Sequence, residues 1–300
     1  MRGGTFTLKN TAPRYVRKST TIFPRFLHKR ASALIKTLCK ELIMEFKQGN
    51  DNQAVTPPRV VVCGASSELG QDICQRLSNN GYSLLLLGRN LALLEQILGT
   101  LPGEHQVAQV DLNEPDSLTE HIIANAIAHG PFQGAVQCAG VHQMTPLRST
   151  CYADFERMFR INTGGALALL KAFTRKKVRA AGAPTSVVLL SSVSQSQAEP
   201  AVSGYAASKA AMAALCRSAA LELAKDQVLV NCIAAGMIKT PLNNGYAEVA
   251  AEAISAIENK HPLGFGQPGD ISDAVLYLLQ QNRWSTGSTL YVDGGFSCRA

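Results

Sequence analysis

The sequence has no run of about 18 apolar residues free of charge, which excludes a membrane-spanning helix of ordinary length. It has no CxxC pair and no cysteine–histidine cluster at zinc-ligand spacing, and its six histidines are scattered, so no metal site is expected. Charged residues are scarce at 17%, against 46% hydrophobic, which excludes a disordered or collagen-like chain. Internal repeats and nucleic-acid-binding motifs are missing as well. Acidic side chains are absent from residues 1–40. That last absence explains the net charge of +7: residues 1–58 carry 11 Lys/Arg against 3 Asp/Glu, whereas residues 59–300 carry 18 against 19. The basicity belongs to an N-terminal extension, and the body behind it is nearly neutral.

The extension, residues 1–57, is rich in Arg, Lys, Ser and Thr, and becomes amphipathic from Ala31 to Phe46. Three readings stay open. It is a transit peptide for the mitochondrial matrix, a translated region upstream of a start at Met44 that leaves a cytoplasmic protein, or a docking arm. Pro57-Pro58 separates it from the domain at 58–300. Of the eight cysteines, at 39, 63, 74, 138, 151, 216, 232 and 298, most sit among apolar neighbours and read as buried reduced thiols.

From Arg59 onward, short apolar runs alternate with longer amphipathic stretches. Strands are expected at Val60–Cys63, Ser83–Leu87, Gln106–Val110, Gly134–Gln137, Ser186–Ser191, Val228–Ile233 and Thr289–Val292. Helices are expected near 69–79, 91–99, 116–128, 152–180, 205–225 and 270–281. Strands this uniformly apolar are buried on both faces, so the fold class is α/β, a single doubly wound domain on a parallel sheet of about seven strands. Ligands bind such sheets at the carboxyl ends of the strands.

The first strand runs into Gly64-Ala65-Ser66-Ser67-Glu68-Leu69-Gly70 and then a helix, the context of a dinucleotide site. Gly64 allows the tight turn, Gly70 close helix packing, and the free N–H groups of the helix start suit a pyrophosphate. Gly64, Ser66, Ser67, Leu69 and Gly70 are therefore candidate cofactor contacts. The second strand ends in Gly88-Arg89, a cation where an acid would select NAD, which favours NADP(H) over NAD(H). Asp111-Leu112 follows the third strand and either meets the adenine or caps the next turn.

Tyr205 and Lys209 lie four apart on one helical face. A phenol with its usual pKa near 10 is a poor acid-base catalyst at neutral pH, and a neighbouring ammonium lowers that pKa. Ser192, at a strand end, is placed to hydrogen-bond a substrate oxygen, and Asn162 to hold a water linking Lys209 to solvent. His142 and Ser194 are candidate substrate contacts, with Met144, Gln197 and a lid from Met237 to about Phe265.

These motifs together resemble the short-chain dehydrogenase/reductase family, from about Arg59 to Ser297. The resemblance extends to Asn231-Cys-Ile-Ala-Ala-Gly236-Met-Ile-Lys-Thr240-Pro and Val292-Asp-Gly-Gly295. It implies a Rossmann fold and an Asn162–Ser192–Tyr205–Lys209 tetrad. Tyr205 then protonates a carbonyl oxygen, Ser192 orients it, Lys209 lowers the tyrosine pKa and holds the ribose, and Asn162 organises a proton relay. It further implies that Ile238 and Thr240 lie near the nicotinamide carboxamide, with Ala139, Gly140 and Gly236 also at the cofactor. A homotetramer or homodimer packed through helices 152–180 and 205–225 is implied too.

Three segments depart from the family pattern: Glu68 replaces a glycine, Gln137-Cys138-Ala139-Gly140 stands for Asn-Asn-Ala-Gly, and Ala235 replaces a proline before Gly236. The expected activity is reduction of a small-molecule carbonyl by NADPH, with a 3-oxoacyl thioester as one substrate class. Oxidation of a sugar, polyol or steroid alcohol with NAD is the alternative. A catalytically weak dinucleotide-binding regulator, suggested by Glu68, is a reading from another class. The basic run Arg175–Arg179 receives an acyl-carrier protein or simply ends a helix.

Overall fold

The five inner strands hold side chains on both of their faces out of water, whereas the two edge strands are partly exposed. The computed structural model describes residues 56–239 and 251–298. The amphipathic stretch from Ala31, the start considered at Met44, Thr240 and the middle of the expected lid lie outside the described residues. The strands are β1 (Arg59–Cys63), β2 (Ser83–Gly88), β3 (Gln106–Gln109), β4 (Gly134–Gln137), β5 (Thr185–Ser192), β6 (Val228–Ala235) and β7 (Thr289–Val292). All pair in parallel in the order β3-β2-β1-β4-β5-β6-β7. The order reverses between β1 and β4, so the loops leaving those strands part there and open a crevice.

Alternate residues of each strand feed two cores. Val60, Val62, Leu84 and Leu86 pack on one face with Ile73 and Leu77 of α1 (Glu68–Asn79), Leu94 of α2 (Leu91–Leu98), and Ile271 and Val275 of α8 (Pro268–Gln280). Val61, Cys63, Leu85 and Leu87 pack on the other. Their partners there are Leu118 and Ile122 of α3 (Pro115–His129), Leu169 and Phe173 of α5 (Gly165–Phe173), and Met212 and Cys216 of α6 (Ser203–Leu223). Ser67 caps α1, accepting from the Gly70 N–H at 3.0 Å, and Asn90 caps α2 through the Leu93 N–H at 3.1 Å.

The single helix expected at 152–180 is broken. It comprises α4 (Tyr152–Met158), a wider π-turn over Phe159–Gly164, and α5. The helix ends at Phe173, so the basic run beyond it forms a separate 3₁₀ turn, Lys176–Val178, rather than a helix C-terminus. Arg179 leaves the patch altogether, turning its largely buried guanidinium to Asp226 at 3.0 Å. A helix that the periodicity left unassigned, α7 (Ala251–Glu258), precedes α8. Among the described residues, no helix is long and apolar enough to cross a membrane.

Candidate active site

The carboxyl ends of β1, β2, β4, β5 and β6 converge on the crevice, and the glycines there are dictated by contact. Gly64 has φ +92°, and a Cβ on it would stand 2.4 Å from the Ala139 nitrogen, so the loops after β1 and β4 touch at backbone distance. A Cβ on Gly70 would meet the Gly64 carbonyl at 2.2 Å. Cys138 keeps the tie that an asparagine would make, since its thiol donates to the Cys63 carbonyl at 3.0 Å. Burial pushes that thiol's pKa up to about 12, so it is not a nucleophile at neutral pH. Gly236 is packed against Asp293, whose Cα a side chain would reach at 2.8 Å.

The crevice carries the donors a dinucleotide needs: the start of α1, the Ser66 hydroxyl, the exposed Arg89 and the Lys209 ammonium. Its acids are turned to other work. Glu68 lines a groove with Gln71, Gln75, Leu93 and Gln96 on the side of α1 that faces α2. Asp111 accepts from the Asn113 backbone N–H at 2.9 Å and from its side chain at 3.0 Å, which holds the carboxyl below its ordinary pKa. That is the turn-capping alternative for Asp111, with Leu112 buried behind it. Gly140 keeps open the space beside Lys209, because a Cβ there would lie 3.5 Å from Lys209 Nζ and 3.1 Å from Asn162 Oδ1. The residues present fit a bound dinucleotide.

Asn162, Ser192, Tyr205 and Lys209 come together at the ends of β4 and β5, with Asn162, Ser192 and Lys209 buried and Tyr205 partly so. The Ser192 hydroxyl reaches the Tyr205 phenol and also contacts the Ser194 hydroxyl and N–H, both at 3.2 Å. Lys209 donates to the Leu190 carbonyl at 2.7 Å, with its Nζ 5.8 Å from the Tyr205 ring centre. Burial drives the Lys209 pKa down to about 8. Burial also raises the Tyr205 pKa above its ordinary value, although Ser192 opposes this, so the net shift is upward, opposite to the lowering expected from the spacing to Lys209. His142, on the exposed loop after β4, stands edge-on to the Tyr205 ring, centroids 4.5 Å apart and planes at 83°. Lost hydration and the Lys209 charge hold its imidazole below the usual pKa.

Asn162 sits inside the π-turn, a helix defect that is frequent at functional sites. Its side chain is tied to backbone and to Ser208. Oδ1 accepts from the Val141 N–H at 2.8 Å, and Nδ2 donates to the Val141 carbonyl at 3.0 Å and to Ser208 Oγ at 2.9 Å. Ser208 in turn donates to the Tyr205 carbonyl at 2.7 Å. Ser208 therefore belongs to the site, and its place between Tyr205 and Lys209 was the signal for it. Ile238 is buried beside Gly266 on the loop after β6.

A family model described as enoyl-(acyl carrier protein) reductase matches residues 64–297. Glucose 1-dehydrogenase from Gluconobacter oxydans is 30% identical over 245 residues, which cover 80% of this chain and 91% of that one. The 3-oxoacyl-[acyl-carrier-protein] reductase of Mus musculus is 27% identical over 235 residues, covering 78% and 95%. Among solved structures, a short-chain type dehydrogenase/reductase from Mycobacterium ulcerans superposes with a TM-score of 0.75 at 28% identity, covering 81% of this chain and 90% of that one.

Proposed function

Since the chain belongs to the short-chain dehydrogenase/reductase family, we propose that it reduces a ketone to a secondary alcohol with NADPH, Tyr205 being the proton donor. As a member it is an oxidoreductase of CH–OH and carbonyl groups that uses a nicotinamide dinucleotide. The observation that carries this reading is the grouping of the Tyr205 phenol with the Ser192 hydroxyl and with the Lys209 ammonium, 5.8 Å from its ring centre, a proton donor, an orienting hydroxyl and a cation in one place.

A nicotinamide held in this crevice would supply the hydride for the carbonyl carbon. Ser192, within reach of the phenol, orients the substrate oxygen by turning its hydroxyl from Ser194. Lys209 holds a positive charge beside the ring, which favours the phenolate left after proton transfer. With its side chain committed to Val141 and Ser208, Asn162 acts in the proton path as a positioning residue. Gly64, Ser66, Ser67, Leu69 and Gly70 take the pyrophosphate, and Arg89 takes a 2′-phosphate. Ala139, Gly140, Gly236, Ile238 and Thr240 line the rest of the cofactor's path, while His142 and Ser194 meet the substrate.

The name of the mouse relative supports a 3-oxoacyl thioester as substrate, and Arg175, Lys176 and Lys177 remain exposed to receive an acidic carrier. The name of the Gluconobacter relative supports the second reading, oxidation of a sugar. Tyr152, Leu167 and Leu221, exposed on α4, α5 and α6, favour packing of two copies through this face, which light scattering reads as mass.

The deciding experiment follows NADPH and NADH absorbance over a panel of ketones, 3-oxoacyl thioesters and sugars, beside a fluorescence titration of each cofactor. We expect NADPH-dependent ketone reduction that Tyr205→Phe lowers by about 10²- to 10⁴-fold with cofactor binding kept. Unchanged turnover in Tyr205→Phe refutes Tyr205 as the acid. Binding without turnover across the panel favours a regulator.

A further inference from the structure

His261 lies three residues beyond α7, is 5% exposed, and takes no part in the tetrad. Its ring packs against Phe296 and Phe265, with centroids 4.8 and 5.4 Å away. Both ring nitrogens are engaged with backbone. Nδ1 stands 3.0 Å from the Ile257 carbonyl at the end of α7, and the Met237 N–H points at Nε2 from 3.2 Å. A carbonyl can only accept, so Nδ1 carries the proton and Nε2 offers its lone pair to Met237. In this arrangement the imidazole donates from Nδ1 and accepts at Nε2, joining α7 to the loop that leaves β6.

That loop stands at the reacting end of the crevice. In the sheet, Ala235 is the register partner of Ser192, so Gly236, Met237 and Ile238 emerge beside the serine and phenol. Hydride transfer brings the reacting ring of the cofactor into contact with whatever is bound there, which makes this loop one of its walls. The same loop is held from its other side by the Gly266 N–H on the Met237 carbonyl at 3.0 Å and the Lys239 N–H on the Gly266 carbonyl at 2.8 Å.

We infer that His261 is a positioning residue for the cofactor: by accepting the Met237 N–H it sets the loop after β6 in the shape that receives the nicotinamide end. The inference rests on the dinucleotide reading above. Three variants test it. His261→Phe keeps a ring between Phe265 and Phe296 but removes both bonds. His261→Asn keeps an oxygen or amide near the Nδ1 position and is too short for Met237. His261→Gln carries an acceptor at the Nε2 position.

Two readouts separate positioning from simple core packing. Amide hydrogen exchange of the peptide containing Met237, measured without cofactor, should quicken in His261→Phe and His261→Asn and stay near wild type in His261→Gln. The NADPH dissociation constant and KM should rise about three- to tenfold in the first two and by less than about twofold in His261→Gln, with the ketone KM little changed. Equal loss of melting temperature in all three with unchanged cofactor affinity overturns the inference and leaves the functional reading intact. So does loss of cofactor affinity in His261→Gln to the same extent as in His261→Phe. A wild-type protein that binds neither NADPH nor NADH overturns both.

Discussion

Lys209 and Tyr205 share one face of α6, yet the ammonium donates to the Leu190 carbonyl at 2.7 Å and stands 5.8 Å from the centre of the phenol ring. Both side chains bear the cost of burial, and it moves their pKa values apart: lysine down to about 8, tyrosine up. The acid therefore stays loaded, while the nearby cation is the group that titrates close to neutrality. In the free enzyme Lys209 loses its charge as pH rises through about 8. The pH profile of kcat/KM for the cofactor, which reports the free enzyme, should then bend downward above that pH. A flat profile to pH 9.5 refutes a requirement for the charged lysine. Stability runs the opposite way: the folded pKa lies below the unfolded one, so Lys209 opposes folding below pH 8, and that opposition fades between about 8 and 10.5.

The Asn162 amide joins the loop after β4 to α6 through Val141 and Ser208, and it is wholly buried. Asn162→Ala leaves the Val141 N–H and carbonyl without their partner. A loss of about 2–4 kcal/mol is expected from urea unfolding, whereas Ser208→Ala, which leaves Val141 paired, should cost about 1 kcal/mol. Equal losses would mean that the bond to Ser208, rather than the pair on Val141, dominates.

The doubly wound fold was readable because Val60–Cys63 and Gly64–Gly70 put strand, glycine turn and helix in one short stretch, and most of the later strands repeat the same apolar signal. Tyr205 and Lys209 were readable for a similar reason: their chemistry depends on a local four-residue spacing. What escaped was set by distant partners. The π-turn at Phe159–Gly164 is a register change that apolar periodicity does not record. His261 is an ordinary His-Pro dipeptide in sequence, and only the return of the chain beside Met237 gives its ring two backbone partners. The direction of the Tyr205 pKa shift escaped too, since spacing reveals a neighbouring cation but not how much water the fold removes.

Arg89 is exposed at the carboxyl end of β2, with its charge acting on Asp111 after β3. Arg89→Glu replaces attraction for a 2′-phosphate by repulsion. The ratio of kcat/KM for NADPH over NADH should fall by about ten- to a hundredfold, through the NADPH value. The comparison is made with one ketone at fixed ionic strength, because such charge effects are screened by salt. An unchanged ratio refutes Arg89 as the discriminating group.

Glu68 stands where the family carries a glycine, and its carboxylate is the sequence feature that most argues against a phosphate beside α1. The side chain instead lines the groove toward α2 with Gln71, Gln75 and Leu93, and as the first residue of the helix it meets the positive end of the helix dipole. If that placement governs, its charge favours the helix start more than it repels the cofactor. Glu68→Gln should then change the NADPH dissociation constant by less than about threefold while lowering stability by about 0.3–1 kcal/mol. The opposite pattern, a tenfold gain in affinity with stability unchanged, would mean that the carboxylate bears on the phosphate site and that this chain has traded cofactor affinity for another property of the turn.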